Sequence, residues 1–212
     1  MKSHKRTLVL IVLLSASTSS MADLIVNGDF NNGNTGFTSG YTFASTNTGS
    51  SQYFIGTDPV LWNFRFDSFG DHTTGTGNMM MVNGSTIANR VVWSETVTVA
   101  QNTPYQFSGW VSSLLTYPNP ARLQLFANDS QIGSDISAST TGGVWEPFSA
   151  QWNSGGSTSV TLEIFDTNLA ITPNDFGLDD LSFTAIPIPA AVLLFASGLL
   201  GLVGVARRKN PT

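Results

Sequence analysis

Between Asp23 and Ala185 the apolar residues show no 3.6-residue period. They fall into short runs of β-branched and aromatic residues separated by Gly, Asn, Ser and Pro. A chain punctuated this often leaves no room for a core-forming helix, so its runs read as the strands of a sandwich or barrel. Strands are predicted at 79–82, 91–99, 104–111, 122–128, 145–152, 159–165 and 176–184, with weaker candidates near Leu24, Tyr41, Gln52 and Gln131. Alternation assigns faces. Tyr105, Phe107, Gly109 and Val111 share one side, and Leu123 and Leu125 alternate with Arg122, Gln124 and Phe126. About 9–11 strands form two sheets, so the expected fold is all-β, a two-sheet jelly-roll β-sandwich spanning 23–185. The polar, Gly-rich segment 67–78 is the expected mobile loop, and no repeat or internal domain boundary interrupts the body.

Charge divides the 212 residues into a body and two ends. All 14 acids lie between Asp23 and Asp180, with only Arg65, Arg90 and Arg122 among them, which leaves a body charge of -11. A lysine-free acidic body does not neutralise phosphates, so nucleic acid is excluded as a partner. The chain has no Cys, which excludes disulfides, thiolate metal sites and a cysteine nucleophile. The other bases are terminal. Lys2, Lys5 and Arg6 precede the apolar run 8–14 and a small-residue stretch ending at Ala22, which predicts a signal peptide over 1–22. At the far end, 190–206 carries no charge and is followed by Arg207, Arg208 and Lys209. As a helix it covers about 25 Å, close to the hydrocarbon thickness once the preceding residues are added. Basic clusters at both ends place both ends on the cytoplasmic side and the acidic body outside.

The C-terminal features resemble, in their order, the PEP-CTERM class of bacterial sorting signals, in its VPLPA-CTERM variant. Ile186-Pro187-Ile188-Pro189-Ala190 stands where that variant has Val-Pro-Leu-Pro-Ala, followed by the membrane segment 190–206 and the basic tail Arg207-Arg208-Lys209. Pro-Glu-Pro itself is absent. The resemblance implies a Gram-negative bacterium, a sorting signal over 186–212, an exosortase-type membrane protease as partner, and removal of the tail by cleavage near Pro187–Ala190. The protein is then anchored in the inner membrane before processing and released to the cell surface or extracellular matrix after it.

The body opens with Leu24-Ile25-Val26-Asn27-Gly28-Asp29-Phe30 and closes with Phe176-Gly177-Leu178-Asp179-Asp180-Leu181-Ser182-Phe183. With the segments 77–84 and 104–111 and the strand after Trp145 between them, this order is similar to the galactose-binding-like jelly rolls that include many carbohydrate-binding modules. The resemblance implies contact with polysaccharide and one structural calcium ion where the first strand meets the last. Asn27 through its carbonyl, Asp29, and Asp179 or Asp180 would supply its oxygens, the donors calcium prefers. Leu178 and Leu181 lie three apart, so Asp179-Asp180 breaks the alternation and predicts a bulge that aims one carboxylate inward.

Catalytic chemistry finds little support in the residues. His72, beside Asp71, is the one histidine of the body, and it sits in the Gly-rich loop as a solvated residue would. Glu95 and Glu163 read as outward-facing polar positions on strands. Of five tryptophans, Trp62 is the candidate sugar-stacking residue. It lies with Phe64, Phe66 and Phe69 just before the loop, the alternative being that this segment packs across the sandwich end. The expectation is a non-catalytic envelope or matrix protein that contacts polysaccharide. A purely structural surface protein is the alternative, and a glycan hydrolase a more distant one.

Overall fold

The computed structural model describes residues 21–171 and 174–187. The described residues form strands β1 (Thr42–Phe43), β2 (Gln52–Gly56), β3 (Met79–Asn83), β4 (Val91–Thr98), β5 (Pro104–Ser113), β6 (Arg122–Ala127), β7 (Ser130–Ser137), β8 (Glu146–Asn153), β9 (Ser159–Asp166) and β10 (Phe176–Ala185). A single helical turn, α1 (Pro59–Trp62), separates β2 from β3. Six strands make one sheet in the order β1-β2-β3-β10-β5-β8, and four make the other in the order β4-β9-β6-β7. All pairs are antiparallel except β1 with β2. The predicted jelly-roll sandwich is thus present, and every predicted strand lies in it. Near Leu24 the chain pairs with β10 without forming a strand of its own.

Alternation builds the core. Phe107 and Val111 of β5, Leu123 and Leu125 of β6, Leu162 and Ile164 of β9, and Leu178 and Phe183 of β10 are all fully buried between the sheets. β3 does not alternate, since Met79, Met80, Met81 and Val82 are all buried. Met80 and Val82 join the core, while Met79 and Met81 join a second cluster with Trp62, Phe66 and Leu114. An unbroken apolar run is what a strand covered on both faces requires. The cover is the segment between β2 and β3, folded over the outer face of the large sheet.

That segment is pinned along its length. Asp58 caps α1 by accepting from Val60 N, and Pro59 occupies the first helical position, where its missing N–H has no partner to lose. Trp62 is 4% exposed, stacks near Phe54 and donates from Nε1 to the Ala44 carbonyl at 2.8 Å. Asp67 N donates to Leu114 O, and Trp145 Nε1 to Gly70 O. The Asp71 carboxylate accepts from Thr74 N at 2.9 Å and Gly77 N at 2.7 Å. The expected mobile loop is therefore an anchored flap. Its polar side chains bond its own backbone, which a composition count reads as exposure.

The Asn-Gly-Asp-Phe opening has a physical reason at each position. Asn27 sits at φ 62 and gives its side-chain amide to the carbonyls of Gly33 and Thr35. Gly28 lies against β10 so closely that a Cβ would come within 1.9 Å of the Leu181 carbonyl oxygen, which no side chain tolerates. Phe30 is fully buried. Leu24 N donates to Phe183 O and Leu181 N to Gly28 O, so the first segment of the body does meet its last strand. Glu95 is not an outward-facing residue. It lies half-buried at the sandwich edge and accepts from Val26 N, because the opening segment crosses β4 there and its N–H needs an acceptor.

Ile186 N donates to Pro104 O, the last backbone bond of the body. Pro187 has no N–H and cannot extend the ladder. Of the sorting residues, Ile188, Pro189, Ala190, Arg207, Arg208 and Lys209 lie outside the described residues, as do the membrane segment 190–206 and most of the signal peptide. Among the described residues no helix is long and apolar enough to cross a membrane.

Candidate functional site

On β6 and β9 the residues between the core positions point away from the large sheet. Gln124 lies opposite Phe165 and Phe126 opposite Glu163 across the seam, so two aromatic and two polar side chains form a checkerboard. The rings of Phe126 and Phe165 meet edge to face at 5.0 Å between centroids and 72° between planes. Both are half-buried, which is costly in water unless something covers them. Around them lies a groove of about 330 Å³, bounded by Asn89, Asp129, Asp166 and Leu169. A second depression of about 560 Å³, containing Asn119, Arg122 and Asp135, shares Gln124 and Thr167 with it. The two depressions adjoin, the first holding the Phe126–Phe165 platform and both bordered by amide, hydroxyl and carboxylate side chains. Gln124 Nε2 donates to Asp135 Oδ1 at 2.9 Å, which holds the amide in place.

Burial raises the Glu163 carboxyl above its ordinary value, and the charge of Asp129 adds to the effect. Asp166, 4% exposed, is pushed up to about 7 by burial and further disfavoured as an anion by Asp175, although its Oδ1 accepts from Arg122 N and Asn168 N. Its Oδ2 has no hydrogen-bond partner among the described residues. The outward orientation of Glu163 agrees with the sequence reading. The groove itself was not anticipated. Its one sequence signal is an aromatic residue in the polar register of each of two strands, Phe126 and Phe165, which become neighbours only through sheet order.

The anticipated site residues lie elsewhere. Trp62 offers no face to a sugar. It is sealed under the flap, and the exposed apolar side chains of its segment are Leu61 and Phe64, 78% and 81% exposed. The predicted bulge is present: Asp179 pairs with Trp110 and Ser182 with Ser108, so Asp180 and Leu181 share the space opposite Gly109. It turns neither carboxylate into the core. Asp179 is fully buried under the flap, accepting from His72 N at 2.8 Å and Asp180 N at 2.9 Å. Burial and the neighbouring charge of Asp180 push it up to about 7. Asp180 holds His72 Nδ1 at 2.7 Å and Thr73 Oγ1. His72 is consequently no solvated loop residue. Its ring lies flat on Trp110, 3.7 Å away, because the flap delivers it there.

Asn27, Asp29 and Asp180 line one open depression beside the bulge, and Asp179 does not. Among the described residues Asp29 is bonded there only by Asn31, at 3.2 and 3.0 Å, and keeps lone pairs for a further partner. The donors suit calcium in kind, being hard oxygens. Among the described residues, however, no three His, Asp or Glu side chains close on one point, so backbone carbonyls or solvent would have to complete a coordination shell.

The two sheets and their strand order define a β-sandwich with the fold of the carbohydrate-binding-module jelly rolls. One similar solved structure is the CBM22-1 xylan-binding domain from Paenibacillus barcinonensis Xyn10C, with a TM-score of 0.54 at 14% identity over 81% of this chain and 99% of that domain. Another is the CBM22-1-CBM22-2 tandem domain of Xyn10C, with a TM-score of 0.55 at 15% identity over 82% of this chain and 49% of the tandem. No protein-family model and no curated protein matches the sequence.

Proposed function

We propose that this is an exported, non-catalytic envelope or matrix protein whose sandwich holds a polysaccharide chain in the groove across β6 and β9. The observation that carries the reading is the Phe126–Phe165 platform, partly exposed in a groove with Gln124 and Glu163 beside it. Flat apolar rings match the C–H faces of sugars, and fixed amides and carboxylates bond their hydroxyls. The xylan-binding function of the similar CBM22-1 domain points the same way by analogy of fold.

The same reading includes export through 1–22 and sorting by an exosortase-type protease at the proline motif. The body's last ladder bond at Ile186 supports it, since the proline motif follows directly on the end of the last strand. It also includes one calcium ion held by Asp29 and Asp180 with Asn27 at its margin. A glycan array with the full-length protein in mild detergent, wild type and Phe126→Ala in parallel, tests the central claim. Binding to at least one linear glycan that the variant loses supports it. An array blank for the folded wild type leaves a structural surface protein as the better reading.

A further inference from the structure

We infer that the glycan held in this groove carries free amino groups, as a partly or wholly de-N-acetylated hexosamine chain does. The inference rests on the groove being the glycan site. What it adds is the charge of the sugar.

Three carboxylates border the groove that contains the phenyl platform: Asp129, Glu163 and Asp166. No lysine or arginine lines it. The nearest arginines in sequence are Arg90, next to Asn89, and Arg122, which lines the second depression opposite Asp135. Neither pairs with a carboxylate among the described residues, where the sole ion pair is His72 with Asp180. The groove carboxylates thus face the ligand without a cation of their own. Asp166 differs, since it is almost wholly buried at the groove and has an oxygen with no hydrogen-bond partner among the described residues. That oxygen is sealed from solvent, so the two carboxylates a ligand can reach are those of Asp129 and Glu163.

These groups sort the candidate glycans. A uronate brings further negative charge beside Asp129 and Glu163, within a body of charge -11, and is repelled. A neutral chain stacks on Phe126 and Phe165 and bonds through its hydroxyls, but leaves the carboxylates facing water. An ammonium at the sugar's C2 adds an ion pair to the stacking, with Asp129 and Glu163 on the groove rim to receive it. A basic peptide offers the ammonium too, but its flexible chain has no flat face for the phenyl platform. The observations therefore favour the amino sugar.

The test compares three hexamers on the full-length protein in mild detergent: β-1,4-linked glucosamine, its N-acetylated counterpart and galacturonate, with hexalysine as a fourth probe. At low ionic strength the glucosamine hexamer is expected to bind about fivefold to tenfold more tightly than the acetylated one, and the uronate most weakly. The preference should shrink in about 0.5 M salt, where the screening length falls below about 5 Å. Glu163→Gln and Asp129→Asn should each lower the preference, and Phe126→Ala should weaken both hexosamine chains. Equal affinity for the two hexosamine chains, or a preference that survives both carboxylate variants, overturns the amino-sugar assignment but leaves the glycan site standing. Hexalysine binding as tight as the glucosamine hexamer and untouched by Phe126→Ala overturns it in favour of basic peptides. Absence of binding by every sugar hexamer overturns the amino-sugar assignment, and the glycan array then decides whether the glycan site stands.

Discussion

His72 lies flat against Trp110, their ring centroids 3.7 Å apart and their planes 17° from parallel. The contact joins the flap after α1 to the middle of β5, and the hydrogen bonds from His72 to Asp179 and Asp180 extend it to β10. One residue thus ties the flap to two neighbouring strands of the large sheet. His72→Ala is expected to destabilise the fold by about 1–2 kcal/mol, from the lost stacking and one hydrogen bond. It should also speed amide exchange at 71–77 selectively. Unchanged exchange there would show that the Asp71 turn alone secures the flap.

Phe126→Ala should weaken glycan binding about tenfold or more while costing less stability than a core substitution, because the side chain is only partly buried. Trp62→Ala provides the contrast, since its ring is sealed in the second cluster. It should cost about 3–5 kcal/mol of stability and affect glycan binding no more than its loss of fold requires. Titration calorimetry and thermal melts of the two variants separate the roles.

Asp166 determines the direction of a pH effect. Its carboxyl stands at about 7 in the folded protein against 3.8 unfolded, raised chiefly by burial. Between those values the folded state binds more protons than the unfolded, so stability falls as pH rises from about 4 to 7 and levels off above. Asp175 and Glu163, also raised by burial, act in the same direction. Melting temperatures should be higher at about pH 5 than at about pH 8. Asp166→Asn, which keeps an acceptor for Arg122 N and Asn168 N, should raise the value at the alkaline end and flatten the profile. A profile that rises with pH would contradict the assignment.

Calcium should raise the melting temperature by roughly 5–10 °C at a hundredfold excess over its dissociation constant. Asp29→Ala and Asp180→Ala should each abolish the increment. Superimposable melts in EDTA and in millimolar calcium would remove the ion from the account and leave Asp180 as the partner of His72 and Thr73 alone.

The intact mass of the protein from its native host tests processing. A product that starts at Asp23 and ends near the proline motif is expected. One that retains Arg207, Arg208 and Lys209 would rule out cleavage, and one that begins at Met1 would rule out export.

The strands were legible because a half-buried strand must alternate, and because β3, covered on both faces, must not. The bulge at Asp179-Asp180 was legible as well, from two leucines three positions apart. The direction of its carboxylates was not, since the flap that receives them is 107 residues away along the chain. Trp62 illustrates the same limit. An aromatic-rich segment before a Gly-rich stretch has one composition whether it is exposed or folded over a sheet.

The sequence alone determined the sandwich, the inward and outward registers of most strands though not the place of Glu95 on β4, and the division into an acidic body between basic ends. Each of these depends on local periodicity or on counting charge. Tertiary structure alone decided that β6 and β9 are neighbours, which sets Phe126 against Phe165 and Glu163. Strand order is chosen by how two whole sheets close over one core, a balance of buried area distributed along the chain and recorded in no single segment.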